Sequence, residues 1–189
     1  MRIVTGSLKG RTIPVNGRKQ GNIRVTPARL KEAVFSMLGP LQDQSFLDLC
    51  TGSGQMALEA YSRGANVIAC DDNDKRCRIL KDLLEAWHVD ENLQLINTKA
   101  QILIGQQNRH YVGVYIDPPY DATLSGRPLS IILAEQVGQK KLLDHDGILF
   151  VQHSVRLEFP TDLDGLQAER KRNYGDTMLT TYVRAEDGG

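Results

Sequence analysis

Asp48-Leu49-Cys50-Thr51-Gly52-Ser53-Gly54 decides the fold. The apolar run 45–50 (SFLDLC) reads as a strand, and 55–62 reads as a helix closed by Arg63-Gly64. A glycine-rich turn from strand to helix lets the backbone take positive φ and approach a ligand closely. The first amides of the helix have no intrahelical partner. In open α/β sheets, ligands bind outside the carboxyl ends of the strands, where this turn falls. Read alone, the pattern Gly52-x-Gly54-x-x-Ala57 suits NAD, S-adenosylmethionine or a tight turn without a ligand.

Outward from that loop the chain alternates. Strands are expected at 66–71, 93–97, 112–117 and 147–153, and helices at 75–87, 100–107 and 130–140. Five apolar strands separated by helical stretches predict a doubly wound, mostly parallel, Rossmann-like α/β sheet. The stretches 166–172 and 177–184 read as a terminal antiparallel hairpin across Asn173-Tyr174-Gly175-Asp176. At the other end, 1–15 reads as short strands flanking the turn-rich GSLKG, and 16–25 as a polar loop. Thr26 and Pro27 read as the cap and first residue of a helix to Leu38. The expected division is a basic β-hairpin extension, 1–25, before a main domain, 26–189.

Composition fits one soluble domain: 189 residues, 41% hydrophobic and 24% charged. No run approaches the ~18 apolar residues of a membrane span. The start carries no apolar signal-peptide core, so a cytoplasmic location is expected, with no membrane association. Cys50, Cys70 and Cys77 lack CxxC spacing, and His88, His110, His145 and His153 are scattered, so no metal site is expected. Net charge is zero, but residues 1–31 carry +8 with no acid, and the remainder carries −8. Such asymmetry points to a polyanionic partner at the N-terminal end. A solvated basic arm explains it equally well.

Two further segments carry chemistry. The second strand ends in Asp71 and Asp72, followed by Asp74. A carboxylate there can accept both hydroxyls of an adenosine ribose. Asp48 favours a sulfonium or amino group over a pyrophosphate on charge grounds. Helix-terminal capping accounts for Asp74 and one of the other two acids. The most specific signal is Asp117-Pro118-Pro119-Tyr120, behind the fourth strand. The prolines stiffen the loop and hold Asp117 extended. Asp117 and the Pro118 carbonyl can both accept from an exocyclic amine, favouring the pyramidal geometry in which it is nucleophilic. Tyr120 offers a ring on which a flipped-out base can stack.

These stretches, with GSLKGR (6–11), RLKE (29–32), LEAYSRGA (58–65) and YGDTML (174–179), resemble the RsmD-type 16S ribosomal RNA guanine-N2 methyltransferases over nearly the full length. The resemblance implies a seven-stranded methyltransferase sheet with an N-terminal β-hairpin extension and S-adenosylmethionine as cofactor. The implied substrate is one guanine amine of 16S rRNA, in an assembling small ribosomal subunit. It implies cofactor contacts from Asp48, Thr51, Gly52, Ser53, Gly54, Asp71 or Asp72, and Ala100. Of the two acids, family spacing gives the ribose to Asp72. It gives the amine to Asp117, Pro118, Pro119 and Tyr120, and RNA contacts to Lys9, Arg11, Arg24, Arg29 and Lys31. A monomer is expected. The chain departs from the family pattern at Val25, Ala28, Lys99 and Gln152, none of them in the reaction loop. Competing readings are an N6-adenine methyltransferase acting on DNA or another RNA, a non-catalytic RNA-binding module on the same fold, and an NAD oxidoreductase.

Overall fold

A computed structural model describes residues 1–14 and 26–185. The expected loop 16–25, with Arg24 and Val25, lies outside the described residues. The chain divides into two compact units, Met1–Ala100 and Gln101–Gly189.

The first unit holds helix α1 (Ala28–Leu38), strand β1 (Ser45–Leu49), helix α2 (Gln55–Ser62), strand β2 (Asn66–Asp71), helix α3 (Asp74–Ala86) and strand β3 (Leu93–Asn97). β1, β2 and β3 pair in parallel, Leu47 opposite Ile68 and Ala69 opposite Leu95. The strands are apolar runs, as expected for strands covered on both faces: Phe46, Leu47, Leu49, Val67, Ala69 and Cys70 are all buried. Leu30, Val34 and Phe35 line the buried face of α1. That helix starts one residue later than expected. Pro27, with ψ 138°, stands at the cap position in place of Thr26. α3 is capped by Asn73, whose side chain accepts from the Arg76 amide at 3.0 Å.

The N-terminal hairpin is a single antiparallel bridge, Arg2 to Thr12, extended by the Ile3 amide on the Arg11 carbonyl and the Ile13 amide on the Met1 carbonyl. Ile3, Leu8 and Ile13 bury its inner side. Gly6 shows why GSLKGR begins with glycine. Its φ is +86°, and a Cβ there would lie 1.5 Å from the Ser62 carbonyl oxygen.

The second unit holds most of helix α4 (Ala100–Gln106), strand β4 (Tyr111–Ile116), a two-residue ribbon of β5 (Thr123–Leu124) and β6 (Arg127–Pro128), and helix α5 (Leu129–Gln139). Strands β7 (Leu143–Ser154), β8 (Asp162–Leu163), β9 (Leu166–Tyr174) and β10 (Thr177–Arg184) follow. β4 and β7 are parallel, whereas β7–β10, β10–β9 and β9–β8 are antiparallel. The seven expected strands are present. β8 adds an eighth, and β7 begins four residues earlier than expected, with a register shift against β4. Among the described residues no helix is long and apolar enough to cross a membrane, and no cluster of His, Cys, Asp or Glu is arranged for a metal ion.

Candidate active site

The glycine loop is built by its own backbone. Cys50, Gly52 and Gly54 all have positive φ: 66°, 56° and 78°. Gly54 opens α2 in the left-handed region, and a Cβ on it would meet the Leu80 side chain at 2.6 Å. Asp48 is buried and organises the turn. Its Oδ2 accepts from the Thr51 hydroxyl at 2.6 Å and the Ala57 amide at 3.0 Å. The Thr51 amide donates to the Cys70 carbonyl, tying the loop to β2. The Ser53 hydroxyl lies 3.9 Å from the Met1 sulfur.

The two acids ending β2 differ sharply. Asp71 is buried and its carboxylate is committed within the unit. Oδ2 accepts from the Gly52 amide at 2.9 Å, and Oδ1 from the Asn73 amide and Arg76 Nε, each at 2.9 Å. Arg76 completes an ion pair with it at 2.7 Å. Asp72 is 61% exposed and only 3.6 Å from the same guanidinium. Asp74 opens α3 and pairs with exposed Arg78. Ala100 is buried at the first residue of α4.

In the second unit, residues 117–120 leave the end of β4. Asp117 and Tyr120 are half-buried, Pro118 is buried and Pro119 exposed. The Ala122 amide closes the turn onto the Pro119 carbonyl at 3.0 Å. The Tyr120 hydroxyl donates to Thr177 Oγ1 at 2.8 Å, at the start of β10. Thr177 was not among the expected site residues, yet it belongs to the YGDT stretch. On β7, Gln152 is fully buried and accepts from the Tyr115 hydroxyl at 2.6 Å.

The basic residues divide as well. Lys9 and Arg29 are exposed. Arg11 donates to the Trp87 carbonyl and stacks 5.3 Å from the Trp87 ring centroid. Lys31 corrects the expectation of an RNA contact. It is 2% exposed, and its Nζ donates to the Arg2 carbonyl at 2.6 Å and to Glu59 Oε2 at 2.8 Å. Glu59, fully buried, also accepts from the Val4 amide, the Thr5 amide and Arg63 Nε. Its burial raises the carboxyl pKa. Hydrogen bonds from Lys31 and Val4 and the Lys31 charge outweigh that and hold it below the ordinary 4.5. The charge of Lys31 is thus spent clasping the N-terminal segment to α2. Its spacing marked it: Lys31 stands three and four residues before Val34 and Phe35, on the apolar stripe of α1.

The family model described as conserved hypothetical protein 95 matches residues 1–183. The chain belongs to that family, the RsmD-type methyltransferases. It is 28% identical over 192 residues to ribosomal RNA small subunit methyltransferase D of Escherichia coli K12, covering all of this chain and 92% of that one. It is 32% identical over 137 residues to the protein of that name in Haemophilus influenzae, 70% of each chain. A solved structure of a hypothetical protein of Thermus thermophilus superposes with TM-score 0.79 at 23% identity, over 98% of this chain and 99% of that one. The fold is the Rossmann-like methyltransferase fold, and the protein is a methyltransferase.

Proposed function

We propose that the protein transfers a methyl group from S-adenosylmethionine to the exocyclic N2 amine of a guanine in small-subunit ribosomal RNA. The reaction loop carries this reading. Asp117-Pro118-Pro119-Tyr120 sits at the carboxyl end of a parallel strand, with its tyrosine pinned by Thr177.

The first unit suits a cationic, hydroxyl-bearing ligand. Such a ligand needs acceptors, and the loop offers carboxylates beside a backbone held in left-handed conformations. Asp72, exposed at the end of β2, accepts the ribose hydroxyls. Asp71 instead fixes the loop, because its oxygens already take the Gly52 and Asn73 amides and Arg76. Asp48 holds a negative charge under the turn for the methionine end, with Thr51, Gly52, Ser53 and Gly54 shaping the cradle and Ala100 offering backbone near the adenine. When bound, S-adenosylmethionine supplies an electrophilic methyl group on a sulfonium. Asp117 and the Pro118 carbonyl accept the two amine hydrogens and favour its pyramidal, nucleophilic form. Tyr120 stacks on the target base. RNA contacts fall to Lys9, Arg29, part of Arg11, and Arg24, and the substrate is the assembling small subunit. The names of the relatives support ribosomal RNA as substrate, and the family resemblance supports guanine N2. The protein acts as a monomer in the cytoplasm.

The test is Asp117→Ala. Methyl transfer falls by about 10²-fold or more, as expected for losing an acceptor aligned with the transition state, while S-adenosylmethionine affinity by calorimetry is unchanged. Near-wild-type turnover would remove Asp117 from the mechanism.

A further inference from the structure

The second unit carries basic residues that the proposed function leaves unused. β10 runs between β7 and β9, and its register sets Thr177 opposite Tyr174, Leu179 opposite Arg172, and Thr181 opposite Arg170. Directly opposed residues share a face of a sheet, and so do alternate residues along a strand. Tyr174, Arg172 and Arg170 therefore stand on the face that carries Thr177, the residue holding the Tyr120 hydroxyl. They follow one another along β9 at about 7 Å, twice the rise per residue.

The stripe is accessible. Arg172 is exposed, the Arg170 side chain is 51% exposed, and Tyr174 is half-buried. β8 pairs only with Leu166 and Gln167, so among the described residues no ladder partner lies outside β9 from Arg170 onward. The register shifts between Thr181 and Tyr182, which leaves Glu169 as the extra residue of a bulge. Bulges re-aim neighbouring side chains. Glu169 meets Arg170 at 3.3 Å. A pair this exposed is weak in water, so a phosphate can displace it. Lys171 points to the opposite face and donates to the Phe159 carbonyl. Exposed Arg156 adds a cation beyond Ser154, the β7 residue opposite Thr177, and exposed Asp176 is the acid of the adjoining turn.

We propose that Tyr174, Arg172 and Arg170 form an RNA-contact surface of the second unit. It grips the backbone of the substrate next to the nucleotide that Tyr120 stacks. The two arginines meet phosphates, and the Tyr174 ring takes a neighbouring base, a combination that recurs wherever unpaired nucleic acid is held without sequence readout. The inference rests on the reading of the substrate as ribosomal RNA.

The experiment uses the full chain and small-subunit rRNA, naked and in partly assembled small subunits, with binding measured across a potassium chloride series. Arg170→Ala with Arg172→Ala lowers the slope of log affinity against log salt by about 1.4, two phosphates at ~0.7 each for single strands. It raises KM for RNA and leaves kcat and S-adenosylmethionine affinity as in wild type. Arg172→Gln alone gives about half that slope change, and Lys171→Ala, on the other face, gives none. An unchanged slope in the double variant, with methyl-donor affinity and wild-type methylation intact, overturns this surface alone. An effect of Lys171→Ala equal to that of the arginine pair overturns the stripe in favour of diffuse charge. Failure of the wild type to bind or methylate the rRNA in either form overturns the substrate reading, and this surface with it.

Discussion

Replacing Lys31 by methionine tests whether the N-terminal segment is clasped by a buried ion pair. Lys31 is 2% exposed and Glu59 fully buried, with 2.8 Å between Nζ and Oε2. Removing Lys31 leaves the buried Glu59 charge with only half-buried Arg63 as its cation, and breaking such a buried pair costs about 3–5 kcal/mol. For a protein this size each kcal/mol moves Tm by roughly 2–4 °C, so the melt drops by about 6–20 °C. The pH dependence carries the sign. In the wild type, the Glu59 carboxyl sits below its ordinary 4.5. Its contribution is therefore fully present above that value and lost as pH falls through the folded pKa. Without Lys31 its hydrogen bond and its charge no longer lower the Glu59 pKa, the folded pKa moves up, and the deficit of the variant narrows as pH falls from that raised pKa to the wild-type one. Urea unfolding at pH 7 and pH 4 reads both effects. Lys31→Met combined with Glu59→Gln removes the stranded charge but keeps an acceptor for the Val4 or Thr5 amide, so it recovers part of the loss. A single variant within about 1 kcal/mol of wild type would refute the clasp, as would a double variant no more stable than the single.

The two acids ending β2 separate by substitution. Asp72→Asn weakens S-adenosylmethionine binding by about tenfold, the worth of a charge-assisted hydrogen bond, at unchanged stability. Asp71→Asn lowers stability by about 1–3 kcal/mol through loss of the Arg76 pair and the Gly52 anchor, read by urea unfolding. Tyr120→Phe removes the hydroxyl that bonds Thr177 and costs less than about tenfold in turnover. Tyr120→Ala also removes the stacking ring and costs about 5–150-fold in kcat/KM for RNA, from ~1–3 kcal/mol of stacking. Among the thiols, burial pushes Cys70 up to about 12 and also raises Cys77, whereas Cys50 is only half-buried in the glycine loop. Iodoacetamide at pH 8 therefore modifies Cys50 first, and saturating S-adenosylmethionine slows it, as peptide mapping of the label will show.

What was legible in the sequence was local. The β1 turn announces itself through glycines at positive φ, and the strands through continuous apolar runs bounded by Gly, Pro and Asp. The polar start of β7, Asp144-His145-Asp146, hid its first residues because pairing with β4 there is interrupted. The short ribbon of β5 and β6 is too brief to leave a pattern. Other misses were long-range. Lys31 lies on the apolar stripe of α1, but its ion-pair partner Glu59, 28 residues away, leaves no local pattern. Thr177 reads only as the first residue of a hairpin strand, because Tyr120, which it anchors, is 57 residues distant. Asp71 and Asp72 are chemically identical side chains, and their burial and partners separate the two roles that family spacing alone suggests.

The central claim is the chemistry at the amine. Tritiated S-adenosylmethionine is incubated with purified protein and partly assembled small subunits, naked rRNA or DNA, and the digests are resolved by nucleoside. The account predicts label in N2-methylguanosine from small-subunit rRNA. Label in N6-methyladenosine, or none on any RNA despite measurable cofactor binding, would contradict it.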